Sequence, residues 1–187
     1  MSDRKRWTIL AIGTFSQAAT CSFLYGIPML VPALRRDDGL SLLGASALIS
    51  APMVGLLLTL IAWGALADRR GERLVIATGV GLAAALLGTA AAVPGVAASV
   101  VLLVLAGAAG ASVNAASGRV VMGWFPVHER GLAMGVRQTA QPLGVALAAL
   151  ALLALAGAIG ARQALLFPAA LCAIAAGAVW LFVTDPP

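Results

Sequence analysis

The sequence predicts an all-α membrane protein with six transmembrane helices, and three observations support this. The 187-residue chain is 61% hydrophobic, with a mean hydropathy of +1.02. Only 10% of its residues are charged, whereas a soluble domain carries about 25%. The charges separate continuous apolar runs of the length that a helix needs to cross a bilayer. The runs lack the alternation of a membrane β-barrel.

The apolar runs define the helices in order. Charge-free stretches at 7–34 and 39–67 are followed by one at 74–118, which is long enough for two spans and which Pro94-Gly95 divides with a turn. The first run exceeds the 7–15 residues of a signal-peptide core, so we expect it to remain as a membrane helix. Residues 1–187 are therefore predicted to form one membrane bundle without a soluble domain, with helices at about 7–34, 42–66, 74–93, 97–123, 131–159 and 163–183.

The distribution of lysine and arginine predicts the orientation, because these residues accumulate in cytoplasmic loops. Six spans place both termini on the same side of the membrane. The Ala- and Arg-rich composition suggests a bacterial source, so we expect a multi-pass protein of the cell inner membrane with both termini cytoplasmic. The cytoplasmic side would hold Arg4, Lys5, Arg6, Arg69, Arg70, Arg73 and Arg130, and the opposite side Arg35, Arg36 and Arg162.

Several function classes are disfavoured by the residue pattern. The basic residues lie at the ends of apolar runs and not on one amphipathic face, so no nucleic-acid partner is expected despite a net charge of +5. Cys21 and Cys172 match no metal or redox spacing, and no P-loop or H-E-x-x-H motif is present. No His/Asp/Glu cluster reaches the membrane interior. The sequence therefore predicts no enzyme, no catalytic residue, no metal ion and no cofactor.

A charged segment lies between predicted helices 2 and 3, and we interpret it as a cytoplasmic loop. It reads Gly64-x-Leu66-Ala67-Asp68-Arg69-x-Gly71-x-Arg73. Gly71 permits a tight turn with positive φ, and Asp68 would be costly at the membrane edge without a partner. The segment resembles the signature loop of the major facilitator superfamily of secondary transporters. Glu72 is a mild departure from that pattern.

A second resemblance to this superfamily covers residues 118–144. The pattern of this segment is common in bacterial members of the superfamily. It consists of Arg119 late in predicted helix 4, then Trp124-Phe125-Pro126, a charged turn, and Arg130-Gly131 at the start of helix 5. Pro142-Leu143-Gly144 is similar to the antiporter motif of the superfamily. Gln141 stands where that motif has glycine, so drug/proton antiport is not inferred.

The resemblance implies a secondary transporter that works by alternating access, with two six-helix bundles that are each a three-plus-three inverted repeat. This chain would form the N-terminal bundle. The cytoplasmic gating loop would consist of Gly64, Asp68, Arg69, Gly71 and Arg73. Its aspartate would help to latch the two halves of the transporter together. Helices 1 and 4 line the cavity in this superfamily, and polar residues accompany Arg137 on helix 5. The candidate cavity residues are Gln17, Tyr25, Asn114, Arg119, Arg137, Gln138 and Gln141, although such residues can instead form hydrogen bonds between helices.

Two arginines stand out because each lies roughly 8–9 Å inside the membrane edge at 1.5 Å per residue. Arg119 and Arg137 have this matching depth on consecutive helices, which predicts either a shared anion site or a gating network. Snorkelling to the headgroups is the alternative. No carboxylate falls at mid-membrane, which favours an anionic solute. Asp68 or Glu129 could neutralise Arg119 from the cytoplasmic edge.

The chain length leaves three alternatives, because the superfamily has two bundles. The chain ends where the central cytoplasmic linker would begin, so it could be a truncated or split transporter, an N-terminal half by itself, or a half-size protein that dimerises. The expected partners are the lipid bilayer, a small-molecule solute, and a missing C-terminal half or a second copy. A non-transporting membrane module that binds a partner or stabilises an assembly is the second hypothesis.

Overall fold

The computed structural model describes residues 3–37 and 39–185, which are almost entirely helical. Six helical segments in the described residues are long and apolar enough to cross a membrane, which confirms the predicted fold class. The helices are α1 (Asp3–Leu24), α2 (Ile27–Asp37), α3 (Leu42–Arg70), α4 (Glu72–Ala92), α5 (Val96–Trp124), α6 (Arg130–Gln138), α7 (Ala140–Ile159) and α8 (Leu166–Phe182), the last preceded by a 3-10 turn at Gln163–Leu165. We number the spans 1 (α1 and α2), 2 (α3), 3 (α4), 4 (α5), 5 (α6 and α7) and 6 (α8 with its turn).

Spans 1 and 5 are interrupted where the sequence predicts continuous helices at 7–34 and 131–159. The first interruption is a turn at residues 25–26, and the second lies at Thr139. Pro28 and Pro142 each follow one of these breaks. Proline lacks the N–H that would bond the carbonyl four residues earlier, and its ring crowds that carbonyl. The bend therefore lies in span 1, the first span of the half formed by spans 1–3, and in span 5, the second span of the half formed by spans 4–6.

The segment that we interpreted as a loop between helices 2 and 3 is mostly helical. Helix α3 continues through Asp68 to Arg70, and α4 begins at Glu72, so Gly71 alone forms the turn. Gly71 has φ of +84°, a conformation that favours glycine. Arg69 and Arg70 lie in the last turn of α3, where positive charge complements the helix dipole. The helix therefore extends four residues beyond the predicted end at residue 66.

The packing repeats itself between the two halves of the chain. Span 1 packs mainly against spans 5 and 6, and span 4 packs mainly against spans 2 and 3. Spans 3 and 6 contact each other, and so do spans 1 and 4. Exchanging spans 1–3 with spans 4–6 preserves this pattern, as a three-plus-three repeat requires. Spans 2 and 5 keep many large apolar side chains exposed, among them Leu57, Leu58, Ile61, Leu150 and Leu153.

Spans 2 and 4 approach closely because glycine lies on both sides of their contact. A Cβ on Gly55 would overlap the carbonyl oxygen of Val104, and a Cβ on Gly107 would overlap that of Pro52. Small residues allow such backbone contact inside a membrane, where helices cannot gain from excluding water. The contact fixes α5, which carries the candidate cavity residues Asn114 and Arg119.

Gly55→Ala or Gly107→Ala should lower the free energy of unfolding by about 1–3 kcal/mol, because the added methyl must push two backbones apart. The measurement is SDS-induced unfolding of the purified chain in mixed micelles. Gly88→Ala in α4 is the matched control, since a Cβ there meets no atom within 4 Å. Equal stability of the Gly55 and Gly88 variants would contradict the proposed contact.

Candidate functional site

A cluster of charges joins spans 2, 3 and 4 at the end of the bundle that holds Gly71. Arg119 forms an ion pair through Nη1 with Asp68 Oδ1, and its Nε lies 3.4 Å from Glu72 Oε1. The Asp68 side chain is 60% exposed, whereas that of Glu72 is only 8% exposed. One arginine therefore bridges two carboxylates, one near solvent and one buried.

The two carboxylates differ in their local electrostatics. Glu72 is the first residue of α4, where the positive end of the helix dipole stabilises a carboxylate. Asp68 lies in the last turn of α3, where the dipole disfavours one. Glu72 is thus the buried carboxylate partner of Arg119, and Asp68 is the solvent-exposed one. In the sequence Glu72 stands out only as a departure from the motif, although its position directly after a turn glycine is a signal for a helix start.

The rest of the motif contacts the end of span 6. The backbone N–H of Arg73 donates to Asp185 Oδ1 at 2.9 Å, and Arg73 Nη2 donates to the Trp180 carbonyl at 2.5 Å. The guanidinium carbon also lies 5.0 Å from the centroid of the Trp180 ring. A Cβ on Gly71 would meet the Asp185 carboxylate, so this position favours glycine for space as well as for φ. Asp185 is not among the residues predicted from the sequence.

A second polar cluster joins spans 1, 4 and 5. Arg137 Nε donates to Ser117 Oγ at 2.9 Å, and Ser117 Oγ donates to Gln17 Oε1 at 3.3 Å. Arg137 Nη1 also lies 3.4 Å from Gln138 Oε1 and 3.6 Å from the Met134 sulfur. Gln17 and Ser117 are buried, and Arg137 is half-buried. Ser117 is not among the residues predicted from the sequence, and it lies one turn beyond Asn114 on the same helix.

The other predicted cavity residues stand apart from this cluster. Tyr25 and Asn114 are half-buried and Gln141 is exposed. Within residues 3–37 and 39–185, none of these three side chains forms a hydrogen bond. In the predicted gating segment, Gly64 is half-buried and Arg69 is exposed, both within α3.

The two arginines at matching depth belong to different clusters. Arg119 is held by Asp68 and Glu72, whereas Arg137 has no carboxylate partner among the residues that the structure describes. Glu129, the other expected partner of Arg119, instead pairs with Arg6 at 2.9 Å. The two arginines therefore have different partners in the structure, and an anion shared between them stays a prediction. The uncompensated charge is that of Arg137.

Aromatic and ionic contacts join spans 1, 4 and 5 at the end of the bundle that also holds the Gly71 turn. The Trp7 and Phe125 rings meet edge to face with centroids 5.2 Å apart. Arg130 donates to the carbonyls of Phe125 and Met122, at 3.0 and 2.9 Å. His128 is exposed and lies 3.6 Å from Glu129. These contacts hold the turn between spans 4 and 5 against the start of span 1. Across the described ranges, no group of three His, Cys, Asp or Glu residues could hold a metal ion.

Comparison with known proteins links the chain to one family. A family model described as Major Facilitator Superfamily matches residues 7–187. A protein of Mycobacterium tuberculosis (strain ATCC 25618 / H37Rv), described as an uncharacterized MFS-type transporter, is 44% identical over 182 residues, covering 97% of this chain and 41% of the relative. Its counterpart in strain CDC 1551 / Oshkosh has the same identity and coverage. The chain thus spans less than half the length of these curated relatives.

Solved structures share the fold at low identity. A bacterial homolog to the human lysosomal transporter Spinster, crystallised in an inward-facing and occupied conformation, superposes with a TM-score of 0.81 at 18% identity, over 100% of this chain and 46% of that chain. The xylose transporter XylE from E. coli, in an inward open conformation, gives a TM-score of 0.70 at 18% identity, over 97% of this chain and 49% of that chain. In both cases this chain matches about half of the larger protein.

Arg119→Gln should destabilise the purified chain by about 1–3 kcal/mol, because it leaves the buried Glu72 carboxylate without a charged partner. Adding Glu72→Gln to that variant should recover much of the loss, since the buried charge is then gone. Asp68→Asn should cost less than about 1 kcal/mol, as is usual for an exposed ion pair.

The measurement is SDS-induced unfolding in mixed micelles, with the single variants and the double variant compared as a double-mutant cycle. Strictly additive losses for Arg119→Gln and Glu72→Gln, or a loss for Asp68→Asn as large as that for Arg119→Gln, would show that Glu72 is not the principal partner.

Proposed function

The chain belongs to the major facilitator superfamily, and from that premise we propose that it takes part in secondary active transport of a small solute by alternating access. The family match and the six-span fold support this proposal. The curated relatives, themselves described as MFS-type transporters, are more than twice as long as the matched region. A second six-helix bundle, or a second copy of this one, would complete the transporter and supply the opposite wall of the solute cavity.

The solute class that we propose is a small organic or inorganic anion. The observation that carries this is the half-buried guanidinium of Arg137, which lacks a carboxylate partner in the described part of the chain. A cationic side chain within a membrane span is costly and usually serves a substrate or ion pathway. An anion would compensate the Arg137 charge, with Gln17, Ser117 and Gln138 beside it. Tyr25, Asn114 and Gln141 stay candidates for contacts farther along the cavity.

Arg119 takes a different role in this proposal, as the centre of a cytoplasmic gate. It holds Asp68 and Glu72 together at the junction of spans 2, 3 and 4. In the alternate state Asp68 would turn to the opposite bundle, while Glu72 would continue to neutralise Arg119. Gly71 and Arg73 keep the turn in place against the end of span 6, and Gly64 and Arg69 complete the segment.

Arg137→Ala should reduce uptake of an anionic solute to the level of empty liposomes, because the charge that compensates the anion is lost. The measurement is uptake of a panel of radiolabelled organic and inorganic anions into proteoliposomes that contain the transport-competent assembly. It is run with and without a proton gradient, which also identifies coupling. Arg70→Ala is the control, since Arg70 is an exposed arginine at the end of α3. Wild-type uptake by the Arg137 variant would refute the anion proposal.

We further propose that the termini and the Gly71 turn face the cytoplasm of a bacterial cell, with the spans in its inner membrane. The excess of basic residues at this end supports that orientation. A C-terminal fusion to green fluorescent protein should therefore fluoresce, and a fusion to alkaline phosphatase should be inactive. An active phosphatase fusion would reverse the orientation and place the Arg119 cluster on the outer side.

A further inference from the structure

We infer that Ser117 sets the hydrogen-bond polarity of the Arg137 cluster, so that N–H donors of Arg137 and Gln17 are left for a solute and the cluster selects a small oxyanion such as a carboxylate or inorganic phosphate. The inference rests on the proposed function, since it takes this cluster to be part of the solute site. It assigns Ser117 as a positioning residue and the Gln17 amide as a direct contact to the solute.

The direction of the hydrogen bonds follows from the chemistry of the groups. Arginine has donors and no acceptor, so the Ser117 hydroxyl oxygen must accept the bond of 2.9 Å from Arg137 Nε. The hydroxyl has a single hydrogen, and Ser117 directs it to Gln17 Oε1 at 3.3 Å. The chain of bonds therefore runs from Arg137 through Ser117 to Gln17.

This direction leaves donors unused at both ends. Gln17 Oε1 accepts from Ser117, and the amide nitrogen of Gln17 has no hydrogen-bond partner within the described ranges. That nitrogen is also not one of the fully buried unpaired polar atoms in those ranges, so it retains accessible surface. Gln138 Oε1 faces Arg137 Nη1 at 3.4 Å, which likewise turns its amide nitrogen away from the arginine. Arg137 Nη2 has no bond to a described residue.

The groups that remain for a solute are thus N–H donors from one arginine and two glutamine amides. A carboxylate or phosphate offers acceptor oxygens to all of them and also compensates the positive charge. An ammonium group offers only donors and adds like charge. A neutral amide satisfies some donors but leaves the Arg137 charge uncompensated. Donor polarity and charge therefore favour the same ligand class.

The buried position of Ser117 explains why it controls this polarity. Ser117 is 3% exposed and Gln17 is 7% exposed, so water cannot readily replace the hydroxyl between them. Without that hydroxyl, Arg137 Nε loses its acceptor and the Gln17 amide can turn either its oxygen or its nitrogen toward the solute.

The test measures anion binding by the purified full chain in lipid nanodiscs, through the ligand-dependent rise of its thermal midpoint. The probes are sodium acetate, sodium phosphate, acetamide and tetramethylammonium chloride. Wild type should bind acetate, phosphate or both, and neither acetamide nor tetramethylammonium. Ser117→Ala should weaken anion binding about 2–10-fold, the effect expected of one net hydrogen bond. Gln17→Glu should abolish it, because a carboxylate then replaces the donor amide and compensates Arg137 internally.

Ser112→Ala is the matched control. Ser112 is buried on the same helix, and its hydroxyl has no hydrogen-bond partner within the described residues, so this variant should bind anions like wild type. Size-exclusion chromatography and circular dichroism report whether each variant folds. If Ser117→Ala does not fold, Gln17→Glu decides the outcome, since it keeps the shape of the side chain.

The outcomes separate the inference from the proposed function. Wild type that binds neither anion would overturn both the anionic solute class and the inference. Anion binding that Arg137→Ala abolishes, but that Ser117→Ala and Gln17→Glu leave at wild-type strength, would overturn the inference alone. Wild-type binding of acetamide or tetramethylammonium as strong as that of the anions would also overturn it.

Discussion

The cost of holding a charged side chain inside the hydrocarbon region governs this structure. It confines most charges to the ends of the spans and requires partners for those that lie deeper. Arg119 meets this requirement with two carboxylates, Asp68 and Glu72. Arg137 meets it only in part, through neutral acceptors such as the Ser117 hydroxyl. The charge of Arg119 is therefore compensated by carboxylates within this bundle, whereas that of Arg137 has no carboxylate partner among the described residues.

Backbone packing places both clusters. Glycine contacts bring spans 2 and 4 together and so carry Arg119 to Asp68 and Glu72. A glycine also joins spans 1 and 5, since a Cβ on Gly144 would clash with the Ala18 carbonyl and the Cys21 side chain. That approach holds span 5 near Gln17. The small residues of this chain therefore bring polar side chains on different spans within hydrogen-bonding reach.

The sequence predicted the number and order of the spans because charges in a membrane protein are confined to the ends of helices. It did not predict the breaks at residues 25–26 and at Thr139, because a proline in a span can be accommodated in several ways. It marked Arg119, Arg137 and Gln17 as candidates, whose role in a solute site stays a prediction, and it paired the two arginines by depth alone. Depth along a helix does not specify the face on which a side chain lies. Serine is common in helix contacts, so nothing in the sequence alone distinguished Ser117 as a bridge.

The central claim is that Arg137, and not Arg119, carries the uncompensated charge. Phenylglyoxal modifies accessible, unpaired arginines, and peptide mass spectrometry of the chain in nanodiscs would report each arginine separately. We expect the modification of Arg137 to slow several-fold when acetate or phosphate is added, because the anion occupies its free donors, while that of Arg119 stays unchanged. Equal protection of both arginines would restore the shared-anion arrangement, and protection of Arg119 alone would contradict the assignment of the site.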